Sequence, residues 1–262
     1  MDRTRKPFQA VALTLFPEMF PGPLGYSLLG HALRAEIWRL KAIDFRDFAS
    51  NKHRSVDDTP TGGGPGMVMR PDIAAAAIDA GRREIGRAED APAFCLSPSG
   101  RPFTQGLARR LADGPGVVLL CGRFEGVDAR ALEARGVEEI SVGDAVLTGG
   151  EIPAMAVLDA VVRLLPGVVG DAASLAEESF SDGLGGLLEH PHYTKPADWE
   201  GRSPPEALLS GDHARIAAWR REASAARTRE RRPDVWRAHL ERRDGDDALA
   251  GPGAQTDASE TK

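Results

Sequence analysis

The 262-residue sequence is poor in the features that would cross-link it, anchor it or make it uniformly basic. Its only cysteines are Cys95 and Cys121. Each lies in an apolar run and no CxxC pair occurs, which argues against a disulfide framework, a thiolate metal site or a redox pair. Two buried, reduced thiols are the expected state. No apolar run reaches the ~18 residues of a membrane span. The opening MDRTRKPFQAVALTLF sets basic residues before a short apolar run, but Pro17-Glu18 follows with no small-residue cleavage pattern. It reads as a first strand in a cytoplasmic protein rather than a signal peptide. The formal net charge of −6 argues against a nucleic-acid binder that uses its whole surface, and leaves room for a local basic face.

What is present, 42% hydrophobic and 27% charged residues, is the makeup of a soluble globular protein of one large domain or two smaller ones. The rest is organised around residues 117–170. An apolar run there ends in Cys121-Gly122 and gives way to a loop with Arg123, Phe124 and Glu125. A second short run, 140–142, leads into Gly143-Asp144 and then Leu147-Thr148-Gly149-Gly150-Glu151, before a long apolar segment stopped by Pro166-Gly167. Strand ends that meet glycine loops are where α/β proteins hold ligands.

In chain order, residues 8–16 read as a buried strand and 19–30 as a loop. The spacing of Ala32, Leu33, Ile37 and Leu40 predicts a helix over 31–40, and 41–48 reads as a strand. Residues 51–69 are polar and turn-rich, and loops of that length are usually functional or disordered. Their GxGxG string at 62–66 is not a dinucleotide loop, because polar residues stand where an apolar strand is needed and Pro65 lies inside. It is either a mobile loop that closes over a ligand or a plain surface loop.

Helices are predicted over 71–88, 104–112 (capped by Thr104), 128–135 and 151–165 (Pro153 in the first turn). Strands are predicted over 93–96, 117–121 and 140–142. This alternation implies an α/β fold with a parallel sheet covered on both faces. The expected organisation is an α/β domain over 1–168, a glycine- and acid-rich linker over 169–190, a small all-helical domain over 191–242 and a disordered acidic tail over 243–262.

Seven segments together carry a resemblance. They are Leu15-Phe16-Pro17-Glu18-Met19-Phe20, GGGPGM at 62–67, Leu96-Ser97-Pro98, CGRFEG at 121–126, SVGDAVLTGGEIPAM from Ser141, LLEHPHYTKP from Leu187 and LLSGDHARIAAWRR from Leu208. On these, from about residue 8 to residue 236, the chain resembles the bacterial tRNA (guanine-37-N1)-methyltransferases. The resemblance implies a SPOUT-type sheet whose later half threads into a deep trefoil knot, against the general rule that chains do not thread loops. It also implies S-adenosyl-L-methionine held in a bent shape among the knot loops, a tRNA substrate, and an obligate homodimer with its sites at the interface.

Carried over residue by residue, cofactor recognition falls on Leu96, Ser97 and Pro98, and on Gly122, Phe124 and Glu125. It continues through Ser141, Val142, Gly143, Asp144 and Ala145 to Val146, Leu147, Gly149 and Gly150. The glycines either let backbone amides and carbonyls approach an adenine edge or merely make turns. Methylating guanine N1 requires removal of its proton by a positioned carboxylate, and charge then builds on O6, where a fixed cation lowers the barrier. Arg163 occupies the family position for that cation; Asp159, four residues earlier, either orients it or pairs with it on a helix turn. The family places an aspartate just before the Ser-Phe of the linker, and here Glu178 stands there, with Asp182 as the reserve candidate. A bland alternative is that these acids only solvate a linker.

RNA binding is assigned to the arginine-rich segment, Arg215, Arg220, Arg221 and Arg227 with Arg229, Arg231 and Arg232, as phosphate partners; the alternative is a solvated helix face. Asp212 either caps the following helix or contacts a base edge, and Arg54 and Asp58 help hold the target nucleotide out of its stack. The resemblance adds Mg2+ at the guanine oxygen, though no metal-ligand motif points to one. Two rivals remain: a SPOUT enzyme methylating a ribose 2′-hydroxyl, which needs no base-deprotonating carboxylate, and an RNA-binding module that has lost activity.

Overall fold

In a computed structural model that describes residues 6–86, 91–171 and 173–249, the first apolar run forms strand β1 (Phe8–Thr14). Helix α1 (Ser27–Arg34) and strand β2 (Trp38–Asp44) follow. The helix expected over 31–40 is therefore corrected: it lies earlier, and its second half is strand. Glu36 takes a left-handed conformation (φ 55°) that ends the helix, and Trp38, fully buried, donates its indole N–H to the Leu29 carbonyl at 3.0 Å. Ile37 and Leu40 are three apart, a helical spacing, but the inward-facing pair is Trp38 and Leu40, two apart, which sets the strand period. The strand expected to reach residue 48 stops at Asp44, whose carboxylate accepts the Arg46 N–H at 2.8 Å and opens a 3-10 turn, Phe45–Phe48.

The long polar segment is bracketed by two short strands, β3 (Asp57–Asp58) and β4 (Val68–Met69), paired antiparallel. Helix α2 (Pro71–Ile85) begins with proline, which has no N–H to leave unpaired, and ends at Gly86 in the left-handed conformation that favours glycine. Then come β5 (Ala93–Pro102), α3 (Gln105–Asp113), β6 (Gly116–Leu120), α4 (Ala129–Ala134), β7 (Glu138–Ser141) and α5 (Glu151–Val162). Thr104 caps α3 as expected, accepting the Leu107 N–H.

Strands lie in the order β2-β1-β6-β5-β7, and every pairing is parallel. Side chains alternate across a strand, so each central strand feeds two cores. Ala10, Phe94, Leu96, Val117 and Leu119 pack with α1, α3 and α5 on one face; Val11, Leu13, Cys95, Val118 and Leu120 pack with α2 and α4 on the other. On α5, Leu158, Val161 and Val162 are wholly buried, each contributing roughly 1.5–3 kcal/mol of apolar transfer. The β5–β7 ladder is interrupted: Ile140 sits opposite both Leu96 and Arg101, so residues 97–100 stand out of it as a loop.

Two compact units divide at Gly170 and Asp171. The second holds α6 (Ala173–Ala176), a 3-10 turn (Asp182–Leu184), α7 (Glu206–Leu209), α8 (His213–Arg231) and α9 (Pro233–Leu249), with no strand among its described residues. Leu188 lies against α8, giving its N–H to Thr228 Oγ1 at 2.9 Å and taking the Ser224 hydroxyl on its carbonyl at 2.6 Å. Helix α9 runs past Arg243, where the tail was expected to begin, because residues 233–249 are mostly tolerant of helix; residues 250–262 lie outside the described ones.

Candidate active site

Parallel strands deliver their C-terminal ends to one edge of the sheet, and the loops leaving β5, β6 and β7 wall a single cleft of about 390 Å³ there. The first wall is the stretch that interrupts the β5–β7 ladder, with Leu96, Ser97 and Pro98; the second holds Gly122, Phe124 and Glu125; the third runs from Ser141 to Gly150. Every residue expected at the cofactor lines this cleft except Asp144. Ser141 Oγ accepts the Gly143 N–H at 3.2 Å, and Ala145 N–H donates to the Gly143 carbonyl at 2.9 Å. That tight turn puts Asp144 at its corner, exposed and outside the lining.

The third loop returns to the end of β6 and packs backbone on backbone. Gly150 N–H donates to the Gly122 carbonyl at 3.0 Å, and a Cβ on Gly150 would lie 2.6 Å from Cys121 Cα. Real Cβ atoms do not come that close to main chain, so only glycine fits. The end of the glycine run at 62–67 packs against the second wall at Glu125. Glu125 N–H donates to Met67 O at 2.9 Å and Met69 N–H to Gly126 O at 3.0 Å, while a Cβ on Gly66 (φ 83°) would meet Glu125 Cγ at 2.5 Å.

One element of the site has no local signal in the sequence. Arg123 reaches under the third loop and places Nη2 2.8 Å from Glu151 Oε2 and Nε 3.3 Å from Oε1, while Nη1 donates to Thr148 O at 3.0 Å. Glu151 is 1% exposed and also accepts the Thr14 hydroxyl at 2.7 Å. The Arg123–Oε2 approach is ionic rather than hydrogen-bonded, since no N–H points along it. The guanidinium also lies 4.6 Å from the centre of the Phe16 ring. A single side chain thus ties together the end of β1, the Phe16 turn, the second loop and the third. Arg123 and Thr148 both line the cleft.

Both cysteines are buried and reduced, as expected. Burial, with help from Glu139, pushes the Cys95 thiol up to about 12, and burial raises that of Cys121 as well, so neither is a thiolate at neutral pH. Among the described residues no three His, Cys, Asp or Glu side chains converge as a metal-binding group. No helix among the described residues is long and apolar enough to cross a membrane.

The family model described as tRNA (Guanine-1)-methyltransferase TrmD matches residues 8–238. The chain is 58% identical over 233 residues to a Novosphingobium aromaticivorans protein named tRNA (guanine-N(1)-)-methyltransferase, an alignment covering 89% of this chain and 92% of that one. It is 59% identical over 232 residues to the Mesorhizobium japonicum protein of the same name, covering 88% and 97%. The chain belongs to the TrmD family.

In this TrmD-family chain the remaining predicted residues fall in different places. Arg163 caps the C-terminal end of α5, half-buried, its N–H donating to the Asp159 carbonyl at 3.2 Å. It belongs to the first compact unit, whereas Glu178 and Asp182 belong to the second, so each unit carries part of the expected constellation. Glu178 is half-buried and its carbonyl accepts the Ser181 N–H at 3.0 Å; Asp182 is exposed and opens a 3-10 turn. Asp212 is the cap of α8, accepting the N–H groups of Ala214 (2.9 Å) and Arg215 (3.2 Å). Arg215, Arg220 and Arg221 are exposed on α8 and Arg227 half-buried. Farther along, Arg229 lies over Trp236 and Arg232 holds Asp234. In the first unit Arg54 bonds Asp47 at 2.6 Å, and Asp58 caps Thr59 at 2.8 Å.

Proposed function

We propose that this chain methylates N1 of guanosine-37 in tRNA, beside the anticodon, using S-adenosyl-L-methionine. Family membership gives the coarser activity, a tRNA (guanine-N1)-methyltransferase. The observation that supports the finer reading is the cleft itself, where strand-end loops gather all the expected cofactor residues but Asp144. Its size suits a small ligand, and glycine recurs in its second and third walls, at 122, 126, 143, 149 and 150. S-adenosyl-L-methionine bound there supplies a methyl group on a sulfonium.

The chain's own residues do the rest. The Glu178 carboxylate takes the N1 proton, and the Arg163 guanidinium faces the charge that builds on O6. Backbone groups of Leu96, Gly122 and Leu147 orient the donor; the arginines of α8 hold phosphates. The family knot is proposed on the way the third loop is held against the end of β6 through Gly150 and Gly122. A homodimer is proposed on the apolar side chains left open beside that loop, Val146 at 86% and Ile152 at 63% exposure.

The test is transfer of labelled methyl from S-adenosyl-L-methionine to an unmodified tRNA transcript, followed by nucleoside analysis. The expected product is N1-methylguanosine, lost when guanosine-37 is replaced by adenosine. A 2′-O-methylated nucleoside, or no incorporation, would sink the proposal. The cleft itself is tested by Gly150→Ala. S-Adenosyl-L-methionine is expected to raise the thermal midpoint of the parent protein but not of this variant. An equal rise in both would contradict the close packing at Gly150.

A further inference from the structure

The chain has four tryptophans and two tyrosines, and the second compact unit holds three and one of them. Trp38, in the first unit, is wholly buried; none of the tryptophans in the second unit is. The second unit has little apolar core to absorb rings, since its buried side chains among the described residues are Ser181, Leu187, Ser224 and Thr228. Its aromatic rings therefore lie at the surface, next to cations. Arg202 stands 5.6 Å from the Trp199 ring centre and Arg229 4.7 Å from that of Trp236.

One group of rings is organised more closely. His190 and His192 meet edge to face at 4.8 Å, the His190 ring is 6.0 Å from Trp219, and Tyr193 meets Trp219 edge to face at 6.1 Å. Tyr193 is 49% exposed, and its hydroxyl has no hydrogen-bond partner among the described residues. The segment carrying these rings is pinned. Both backbone groups of Leu188 are held by Thr228 and Ser224 of α8, and Glu189 N–H donates to Ser179 Oγ at 3.0 Å. The Glu189 carboxylate in turn holds His192 Nε2 at 3.0 Å. The chain leading into the rings is thus anchored before any ligand arrives. Arg215 lies one turn before Trp219 on the same helix face, 56% exposed and only 4.0 Å from Glu206 at its nearest acid.

We infer that His190, Tyr193 and Trp219 form a stacking platform for an unpaired base of the tRNA, with Arg215 and its neighbours on α8 taking the adjoining phosphates. Flat rings presented beside exposed guanidinium groups match the alternation of bases and phosphates along a single strand. A pre-fixed platform also spares the ordering cost that flexible rings would incur on binding. The inference rests on the tRNA reading given above and adds where an unpaired base is held.

The experiment compares full-length Tyr193→Leu and Tyr193→Phe with the parent, using an unmodified tRNA transcript. Tyr193→Leu is expected to weaken tRNA binding about tenfold, the order of one base–aromatic stack, while Tyr193→Phe binds as the parent does. The salt dependence of binding should keep its slope in Tyr193→Leu, because no phosphate contact is removed. Thermal midpoints should match, since the side chain is half open to water. Parent-like affinity in Tyr193→Leu overturns the inference; so does a lowered thermal midpoint with affinity unchanged, which would make the rings a small core. A second readout uses the Trp199→Phe, Trp236→Phe double variant, in which Trp219 is the tryptophan not buried. Saturating tRNA is expected to quench its emission, and unchanged emission overturns the platform. Methyl incorporation by the parent protein tests the tRNA reading separately, so the two can fail independently.

Discussion

Glu178→Gln is expected to lower the rate of methyl transfer about a thousandfold while S-adenosyl-L-methionine and tRNA still bind. Glutamine keeps the size and hydrogen-bonding reach of the side chain but cannot accept a proton. The loss should therefore fall on kcat and leave KM close to that of the parent, the pattern of an interaction made only in the transition state. Two companions sharpen the result. Glu178→Asp restores the family residue and a carboxylate but shortens the arm by one methylene, so partial activity is expected. Asp182→Asn is expected to behave as the parent, because Asp182 is exposed at the start of its turn. Steady-state kinetics on an unmodified transcript decides among them. If Glu178→Gln turned over normally and Asp182→Asn did not, the base would be Asp182.

The second large effect is one of stability. Arg123→Met leaves the Glu151 carboxylate buried with the Thr14 hydroxyl but no cation. Removing one partner of a buried pair costs about 3–5 kcal/mol, and the low end applies because the guanidinium keeps some contact with solvent. For a unit of this size that is a fall of roughly 6–12 °C in the thermal midpoint. Cofactor affinity should fall with it, since the Thr148 carbonyl and the third loop lose their anchor. Adding Glu151→Gln to Arg123→Met removes the stranded charge and is expected to recover part of the stability, though not the loop. A midpoint for Arg123→Met equal to that of the parent would falsify the brace. Recovery of cofactor affinity in the double variant would show instead that the charge alone mattered.

Much of the first unit was legible because its signals are local. Apolar strands that end in Cys121-Gly122 and in Ser141 announce a ligand edge, and Pro153 in a first turn announces α5. The misplaced helix at 31–40 failed for an equally local reason: Leu40 is three from Ile37, a helical spacing, but two from Trp38, and the left-handed turn at Glu36, which no residue type there demands, decides for the strand. Asp144 lies inside a continuous run of lining residues, and the turn at Gly143 sets it, exposed, outside the lining. The Arg123–Glu151 brace was invisible for a different reason. Its partners are 28 residues apart, both beside glycines, where a charged residue ordinarily signals solvent. Long-range pairing of charges leaves no periodicity to read.

The strand order carries a consequence for how the molecule is made. β6 lies between β1 and β5 yet is synthesised after both, so a nascent chain that has emerged only through α3 holds two sheet fragments with a missing rung. Each fragment offers an unpaired, apolar edge to the other, and a wrong closure of β1 on β5 would be sealed by the same hydrogen bonds that β6 later needs. The missing side chain of Gly116 lets the start of β6 lie against the Gln9 backbone. Until residues 116–120 have emerged, the sheet lacks its central strand and both neighbouring edges stay open to wrong pairing.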